Sequence, residues 1–149
     1  MDEEPKIIDG EFAVDDRGQL TFCNSFDFKG VKRFYMVENF STSVVRAFHG
    51  HLKEAKFVFA VSGSAIAAAV KLDDPAKPSK QSKVHRYVLS SKKPALLRIP
   101  AGFANGFRFL EKNTKLMIFS TASLEESKGD DVRFPHDYWG EEVWSVKNR

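Results

Sequence analysis

The segment KFVFAVSGSAIAAAVKL, residues 56–72, decides the fold class, because it holds two apolar runs joined by a Gly-centred turn. The first run, Lys56–Ser62, is rich in β-branched and aromatic residues, which favour strands. The second run, Ala65–Leu72, has alanines of high helix propensity. However, the turn at 62–64 and the Asp-Asp-Pro turn at 73–75 leave room between them for one strand only. The segment therefore predicts two consecutive strands.

Similar short apolar runs recur along most of the chain, with turn residues between them roughly every 8–12 positions. The further predicted strands are Leu20–Phe26, Lys32–Glu38, Val44–His51, Val84–Leu89, Ala95–Ile99, Gly106–Phe109 and Lys115–Ser120. A short helix is predicted at Leu124–Lys128, which ends at Gly129. The aromatic segment Phe134–Trp144 is too apolar for a free tail, so we expect it to pack onto the body. The pattern predicts an all-β antiparallel sandwich or barrel.

Length and composition fit one globular domain, residues 1–149, with 42% hydrophobic and 29% charged residues. The net charge of +3 is spread along the chain without a basic block, so no nucleic-acid partner is expected. No apolar run approaches the roughly 20 residues of a membrane helix, so no membrane association is expected either. The acidic start MDEEPK and the single cysteine, Cys23, predict a cytoplasmic protein without a disulfide framework or a multi-cysteine zinc site.

Two histidines stand close together in the stretch Arg46-Ala47-Phe48-His49-Gly50-His51. Strict strand alternation places both histidines on one face and Arg46 on the other. Paired histidines near Arg46 and Lys56 are typical of proton transfer or of metal binding. The alternative is a pair of structural histidines. We interpret the isolated His85 and His136 as structural.

Two later segments add candidate site residues. Ile99–Phe107 has a Pro-x-Gly turn before a strand, with Asn105 at the start of that strand. By itself this segment indicates an ordinary connection. In Asp130–Trp139, Asp137 is suited to orient a histidine and Arg133 to hold a phosphate, although the segment is equally typical of aromatic packing.

Together these segments resemble the cupins, which are small β jelly rolls built as a double-stranded β-helix. The resemblance rests on the order His-x-His, Gly63, Pro-x-Gly. Metal-binding cupins carry a Glu and a further His where this chain has Lys56 and Asn105. A lysine ammonium repels a divalent cation and stabilises an enolate or another anion. We therefore expect neither a metal nor a cofactor.

From about Asp16 to Trp144 the chain resembles the dTDP-4-dehydrorhamnose 3,5-epimerases. The matching stretches are Asp16-Arg17-Gly18, Glu38-Asn39-Phe40-Ser41, Arg46-x-x-His49, Ile99–Phe107 and Asp137–Trp144. The resemblance implies that His49 acts as the catalytic base with Asp137 as its partner. It also implies that Lys56 stabilises the enolate. In that family a tyrosine acts as the general acid, and the matching position in this chain is Ile118, beside Phe119. None of Tyr35, Tyr87 and Tyr138 matches that position.

The chain also resembles the dTDP-4-keto-6-deoxyhexose 3,4-ketoisomerases, in which two histidines move protons. The stretches Val31–Tyr35, Arg46–His51 and Asp130–Arg133 carry this likeness. It implies an isomerase of a dTDP-4-keto-6-deoxy sugar, working through an enolate in polysaccharide sugar-nucleotide biosynthesis. The alternatives are a 3- or 3,5-epimerase of the same substrates and a non-catalytic cupin that binds a sugar nucleotide or another carbohydrate.

The resulting expectations assign a role to each site residue. His49 removes a proton from carbon, His51 relays it, and Lys56 stabilises the enolate, while Asp137 fixes the tautomer of His49. The predicted substrate-binding residues are Arg17, Asn39, Arg46, Asn105 and Arg133. The resemblance also implies a homodimer in which Arg17 acts in the neighbouring subunit's site.

Overall fold

The computed structural model describes residues 3–149, so the first two residues of the predicted domain and of the MDEEPK start lie outside the described residues. Antiparallel strands make up nearly half of it and helices only a few residues, which confirms the all-β prediction. The strands are β1 (Lys6–Asp9), β2 (Glu11–Asp15), β3 (Gly18–Phe22), β4 (Arg33–Val37), β5 (Val45–His51), β6 (Lys56–Ser62), β7 (Ser64–Lys71), β8 (Val84–Ser90), β9 (Ala95–Ile99), β10 (Phe103–Phe109), β11 (Lys115–Ser120) and β12 (Val132–Arg133). A helix, α1 (Leu124–Lys128), and a 3₁₀ turn (Glu141–Trp144) follow β11 and β12 respectively.

Ten of these strands form two five-stranded sheets. Sheet I has the order β1-β9-β6-β11-β4, and sheet II has the order β12-β5-β10-β7-β8. From β4 to β7 and from β8 to β12 consecutive strands alternate between the sheets, whereas β7 and β8 are neighbours in sheet II. The connection between β6 and β7 turns at Gly63, whose φ of +72° suits glycine. Within residues 3–149, no helix is long and apolar enough to cross a membrane.

A hydrophobic core fills the space between the two sheets. Alternate residues of each strand point inward, as the period of a β-strand requires. Sheet I contributes Val58, Leu97, Leu116 and Ile118. Sheet II contributes small and large apolar side chains, namely Ala65, Ala67, Ala69, Leu89, Phe103, Phe107 and Phe109. One end of this space remains open and forms the candidate site.

Strand β7 is buried on both faces, which explains its sequence SAIAAAVK. Its other face packs against a second apolar cluster on the outside of sheet II. The C-terminal cap, residues 134–144, covers that cluster with Trp139, Val143 and Trp144, all less than 7% exposed. The expectation that the aromatic C-terminal segment packs onto the body is confirmed.

Strands β1, β2 and β12 are absent from the sequence prediction. Strand β2 pairs with β3 in a separate two-stranded hairpin, and the predicted strand Leu20–Phe26 begins two residues earlier and ends at Phe22. The residues of β2 are all exposed, so no buried face marks them as a strand. The predicted helix Leu124–Lys128 is confirmed, and Ser123 and Glu126 form a capping box at its start.

Candidate active site

A cavity of about 310 Å³ opens between the sheets at one end of the core. Its polar residues lie mainly on sheet II and its apolar residues mainly on sheet I. The lining residues are Tyr35, Val37, Arg46, His49, His51, Lys56, Asn105, Phe107, Ile118, Leu124, Ser127, Lys128, Asp131 and Arg133. The cavity therefore brings together six of the nine residues that the sequence assigned to a site.

A bulge in β5 aims Arg46 into this cavity beside the histidines. Strand β10 pairs Asn105 with His49 and Phe107 with Arg46, so Ala47 and Phe48 together oppose the single residue Gly106. A bulge of this kind reverses the alternation of side chains along a strand. The prediction that Arg46 lies on the face opposite to the histidines is therefore wrong. The histidines themselves share one face, as predicted.

Two oxygen atoms lie close to one nitrogen of the His51 ring. Its Nδ1 lies 2.5 Å from the carbonyl oxygen of Asp130 and 3.2 Å from Oε2 of Glu54. Burial lowers the pKa of His51, and the Lys56 ammonium lowers it further, whereas Glu54 raises it. The neutral imidazole therefore predominates at neutral pH, in a form that accepts a proton.

His49 is half-buried between charges of opposite sign. Burial is the main cause that lowers the pKa of His49, and the Arg133 guanidinium adds to this effect, while Asp131 opposes it. Arg133 and Asp131 also pair with each other, with 3.0 Å between Nε and Oδ2. The second imidazole is thus also neutral at neutral pH and suited to act as a base.

Lys56 places its ammonium at the cavity floor. The residue is only 7% exposed, and within residues 3–149 no hydrogen bond or ion pair is formed by Nζ. Burial lowers the pKa of Lys56, whereas the nearby Glu54 raises it. A buried cation without a partner strongly favours an anion in front of it.

Tyr35 occupies the wall of sheet I that faces the histidines. It pairs directly with Ile118, the position where the resemblance implied a tyrosine, and both side chains line the cavity. Burial and the charge of Glu54 raise the pKa of Tyr35 to about 12, so the phenol is protonated at neutral pH. Among the described residues the hydroxyl has no hydrogen-bond partner, and the Arg33 guanidinium lies 4.9 Å from the ring centroid.

The other predicted binding residues fall into two groups. Arg46 and Asn105 line the cavity, and Asn105 is 3% exposed. Asn39 lies outside it but fixes Arg46, because Arg46 Nε donates to Asn39 Oδ1 over 2.5 Å and Arg46 Nη2 donates to the Glu38 carbonyl over 3.2 Å.

Two predicted residues are not brought into the cavity. Arg17 lies at the tip of the β2–β3 hairpin, where its exposed side chain pairs with Asp15 over 2.6 Å. Asp137 lies on the surface in a cluster with His136 and Glu141, and no hydrogen bond or ion pair joins it to His49 in the described part of the chain. The geometry gives the assignment of Asp137 as the partner of His49 no support.

Sequence reasoning missed Tyr35, Glu54, Asp131 and two residues of α1, Ser127 and Lys128. A signal for Tyr35 is present, because the alternation Arg33-Phe34-Tyr35-Met36-Val37 puts it on the inward face. What the sequence lacks is the register of β4 against β11. Glu54 belongs to the loop between β5 and β6, and nothing in its neighbours indicates that it is buried.

A sequence model of the dTDP-4-dehydrorhamnose 3,5-epimerases matches residues 3–138 of this chain. The chain is also similar to the spore coat polysaccharide biosynthesis protein SpsL of Bacillus subtilis, with 33% identity over 95 residues. That alignment takes in 63% of this chain and 62% of SpsL, so the chain matches less than two thirds of that relative.

Solved structures of two kinds of enzyme share the fold. A dTDP-4-dehydrorhamnose 3,5-epimerase from Elizabethkingia anophelis superimposes with a TM-score of 0.76 and 19% identity, over 97% of this chain and 83% of that one. The 3,4-ketoisomerase QdtA from Thermoanaerobacterium thermosaccharolyticum, as a mutant in complex with TDP-4-keto-6-deoxyglucose, has a TM-score of 0.68 and 18% identity over 96% of both chains. These likenesses confirm the predicted cupin jelly roll.

Proposed function

The chain belongs to the dTDP-4-dehydrorhamnose 3,5-epimerase family, and from this premise we propose that it isomerises a dTDP-4-keto-6-deoxy sugar to the 3-keto sugar. One observation supports this reaction above the others: two neutral histidines on one strand face share a cavity with an unpartnered lysine ammonium. A 3,4-keto shift needs two proton transfers on neighbouring carbons and a cation for the enolate, and these groups supply both.

The proposed reaction starts with removal of the C3 proton by His49. The electron pair of that C–H bond moves toward C4 and leaves negative charge on the ketone oxygen, which the Lys56 ammonium stabilises. C4 then gains a proton, while the C3 hydroxyl loses its proton and the oxygen on C4 gains one, so the carbonyl ends at C3 and a hydroxyl ends at C4. His51 and the Tyr35 phenol are the two groups of the cavity suited to deliver the proton to C4.

The cations at the cavity mouth support a diphosphate ligand. Arg46, Lys128 and Arg133 all line the cavity, and Arg46 is held in place by Asn39. Guanidinium groups bind phosphate oxygens through paired hydrogen bonds. The related ketoisomerase binds TDP-4-keto-6-deoxyglucose, and we propose a dTDP-sugar as the ligand of this chain. The name of SpsL supports a role in polysaccharide biosynthesis.

A 3- or 3,5-epimerisation is the second candidate, and the placement of Tyr35 favours it. Tyr35 belongs to sheet I, whereas His49 and His51 belong to sheet II on the opposite side of the cavity. A base on one wall and an acid on the other allow a carbon to lose its proton from one face and regain one on the other face. That exchange inverts the configuration.

Proton NMR of dTDP-4-keto-6-deoxyglucose in D₂O separates these candidates. With the wild-type protein we expect deuterium to enter the sugar and a 3-keto product to appear. We expect His49→Ala to abolish both, whereas His85→Ala, which changes a histidine outside the cavity, leaves both unchanged. Exchange at C3 or C5 with inverted configuration would establish the epimerase instead. Binding of dTDP without any exchange would refute both reactions and favour a binding protein.

A further inference from the structure

Glu54 is a buried carboxylate beside the cavity with no role in the reaction proposed above. It is 2% exposed and makes hydrogen bonds through both oxygen atoms. Ser120 Oγ donates to Oε1 over 2.6 Å, and Ser127 Oγ donates to Oε2 over 2.8 Å. Burial of a carboxylate costs free energy unless its partners compensate for the lost water. A buried carboxylate such as Glu54 is therefore expected to lie beside a cationic group.

The cationic candidates around Glu54 lie on three different elements. Nδ1 of His51, on β5, is 3.2 Å from Oε2 of Glu54, and Nη2 of Arg33, on β4, is 3.8 Å from its Oε1. Lys56 on β6 interacts with Glu54 electrostatically without forming an ion pair. His51 is thus the cavity-lining group in closest contact with the carboxylate.

The contacts of His51 determine where its proton lies. The Asp130 carbonyl at 2.5 Å and the Glu54 carboxylate at 3.2 Å both approach Nδ1, and both groups are acceptors. Nδ1 must therefore carry a proton. In the neutral ring Nε2 is then the unprotonated nitrogen, so it is the atom available to accept a proton from a ligand.

We infer that Glu54 is a positioning residue, which holds His51 in the tautomer with the proton on Nδ1 and stabilises the imidazolium when Nε2 takes up a proton. The inference rests on the proposed function for its catalytic consequence, but not for the tautomer. It gives His51 the carboxylate partner that the sequence analysis sought for His49 in Asp137. The serines of β11 and α1 fix the carboxylate, so the ring has one orientation.

The tautomer is measurable in the wild-type protein without any substrate. Long-range ¹H–¹⁵N NMR spectra of the imidazoles, recorded above pH 7.5, distinguish a protonated Nδ1 from a protonated Nε2. We expect His51 to show the Nδ1–H form. A dominant Nε2–H form would overturn the inference, and this measurement needs no variant that could fail to fold.

Glu54→Gln tests the charge, since it keeps the size of the side chain and removes the anion. The charged groups around His51 are Lys56, Asp131, His49 and Glu54 itself. Because Glu54 raises the pKa of His51, we expect this pKa to fall in Glu54→Gln and to recover in Glu54→Asp. Glu111→Gln is the matched control: Glu111 also accepts a serine hydrogen bond, from Ser64 over 2.6 Å, but lies outside the cavity.

The sugar exchange assay supplies the catalytic readout. Loss of the carboxylate that orients a catalytic histidine costs up to about 10⁴-fold in rate, and we expect a fall of at least ~10-fold in Glu54→Gln with little change in dTDP affinity. An unchanged rate and an unchanged pKa of His51 would refute the role of Glu54. If the wild-type protein performs no exchange, the proposed function fails, and the NMR titration still decides whether Glu54 sets the state of His51.

Discussion

At the scale of single residues, the two histidines of β5 have the same chemistry but different surroundings. His51 contacts a fixed carboxylate and a carbonyl oxygen, whereas His49 lies between Arg133 and Asp131 near the cavity mouth. A ligand phosphate that draws Arg133 away from Asp131 would remove the cation beside His49, whereas the contacts of His51 with Glu54 and the Asp130 carbonyl do not involve Arg133. The two rings are therefore suited to separate proton transfers.

The pH dependence of His49 follows from its neighbours. Burial and the Arg133 guanidinium both hold its pKa below the ordinary value of 6.5. Removal of a nearby cation makes the imidazolium less unfavourable, so we expect Arg133→Gln to raise the pKa of His49. A ¹H NMR titration of the substrate-free protein measures this shift. Arg149→Gln is the control, because Arg149 is exposed and lies outside the cavity. A wild-type His49 that titrates above 6.5 would contradict the prediction.

At the scale of strands, the bulge between β5 and β10 decides what the cavity contains. Gly106 lies opposite the bulge, and a Cβ atom added to it would clash with Ala47 Cβ and lie 2.9 Å from the Arg46 carbonyl oxygen. Both obstacles are backbone or the first side-chain carbon, so neither can rotate away. The strand pairing that directs Arg46 into the cavity thus requires a glycine, without a Cβ atom, at position 106.

We expect Gly106→Ala to lower the free energy of unfolding by about 1–3 kcal/mol, the range for overpacked interiors. Urea unfolding followed by circular dichroism measures the change. Gly129→Ala is the matched control, since its Cβ would meet atoms only at 3.7 and 3.8 Å and its φ is −79°. Its effect should stay within about 1 kcal/mol. Equal stabilities of the two variants would show that the close approach at Gly106 is unimportant.

The same strands show how far sequence reasoning reaches. Apolar alternation and turn residues locate the strands of both sheets except β1 and β12, because these signals are local. The orientation of Arg46 and the contact of Tyr35 with the histidine cavity depend on pairing between distant strands, which local patterns do not contain. The family resemblance assigned Asp137 to His49, whereas the carboxylate that reaches a histidine, Glu54, is three residues from His51 along the chain.

At the scale of the whole molecule, the β2–β3 hairpin stands apart from both sheets. It pairs with no other strand of the described chain, and its Val14 and Leu20 are 72% and 67% exposed. Exposed apolar side chains on a hairpin that joins neither sheet favour burial against another protein surface. The homodimer expected from the sequence stays a prediction, and this hairpin is where we expect the second copy to bind.

Light scattering after size-exclusion chromatography tests this arrangement. We expect the wild-type protein to have twice the 16.9 kDa mass of one chain. The double substitution Val14→Asp with Leu20→Asp should yield the monomer, because charge is poorly tolerated in an apolar interface. Val146→Asp, at a residue 65% exposed near the C-terminus, should leave the dimer intact. A wild-type monomer at micromolar concentration would rule out the predicted dimer.

The C-terminal cap has a spectroscopic consequence. It holds both tryptophans of the chain, whose indole N–H groups donate to the carbonyl oxygens of Ser79 and His136 over 2.9 Å each. Neither indole lines the cavity. Tryptophan fluorescence will therefore change when the cap detaches from sheet II. It will change little when a ligand fills the cavity. A red shift of emission at denaturant concentrations that still permit sugar exchange would identify the cap as a separately melting layer.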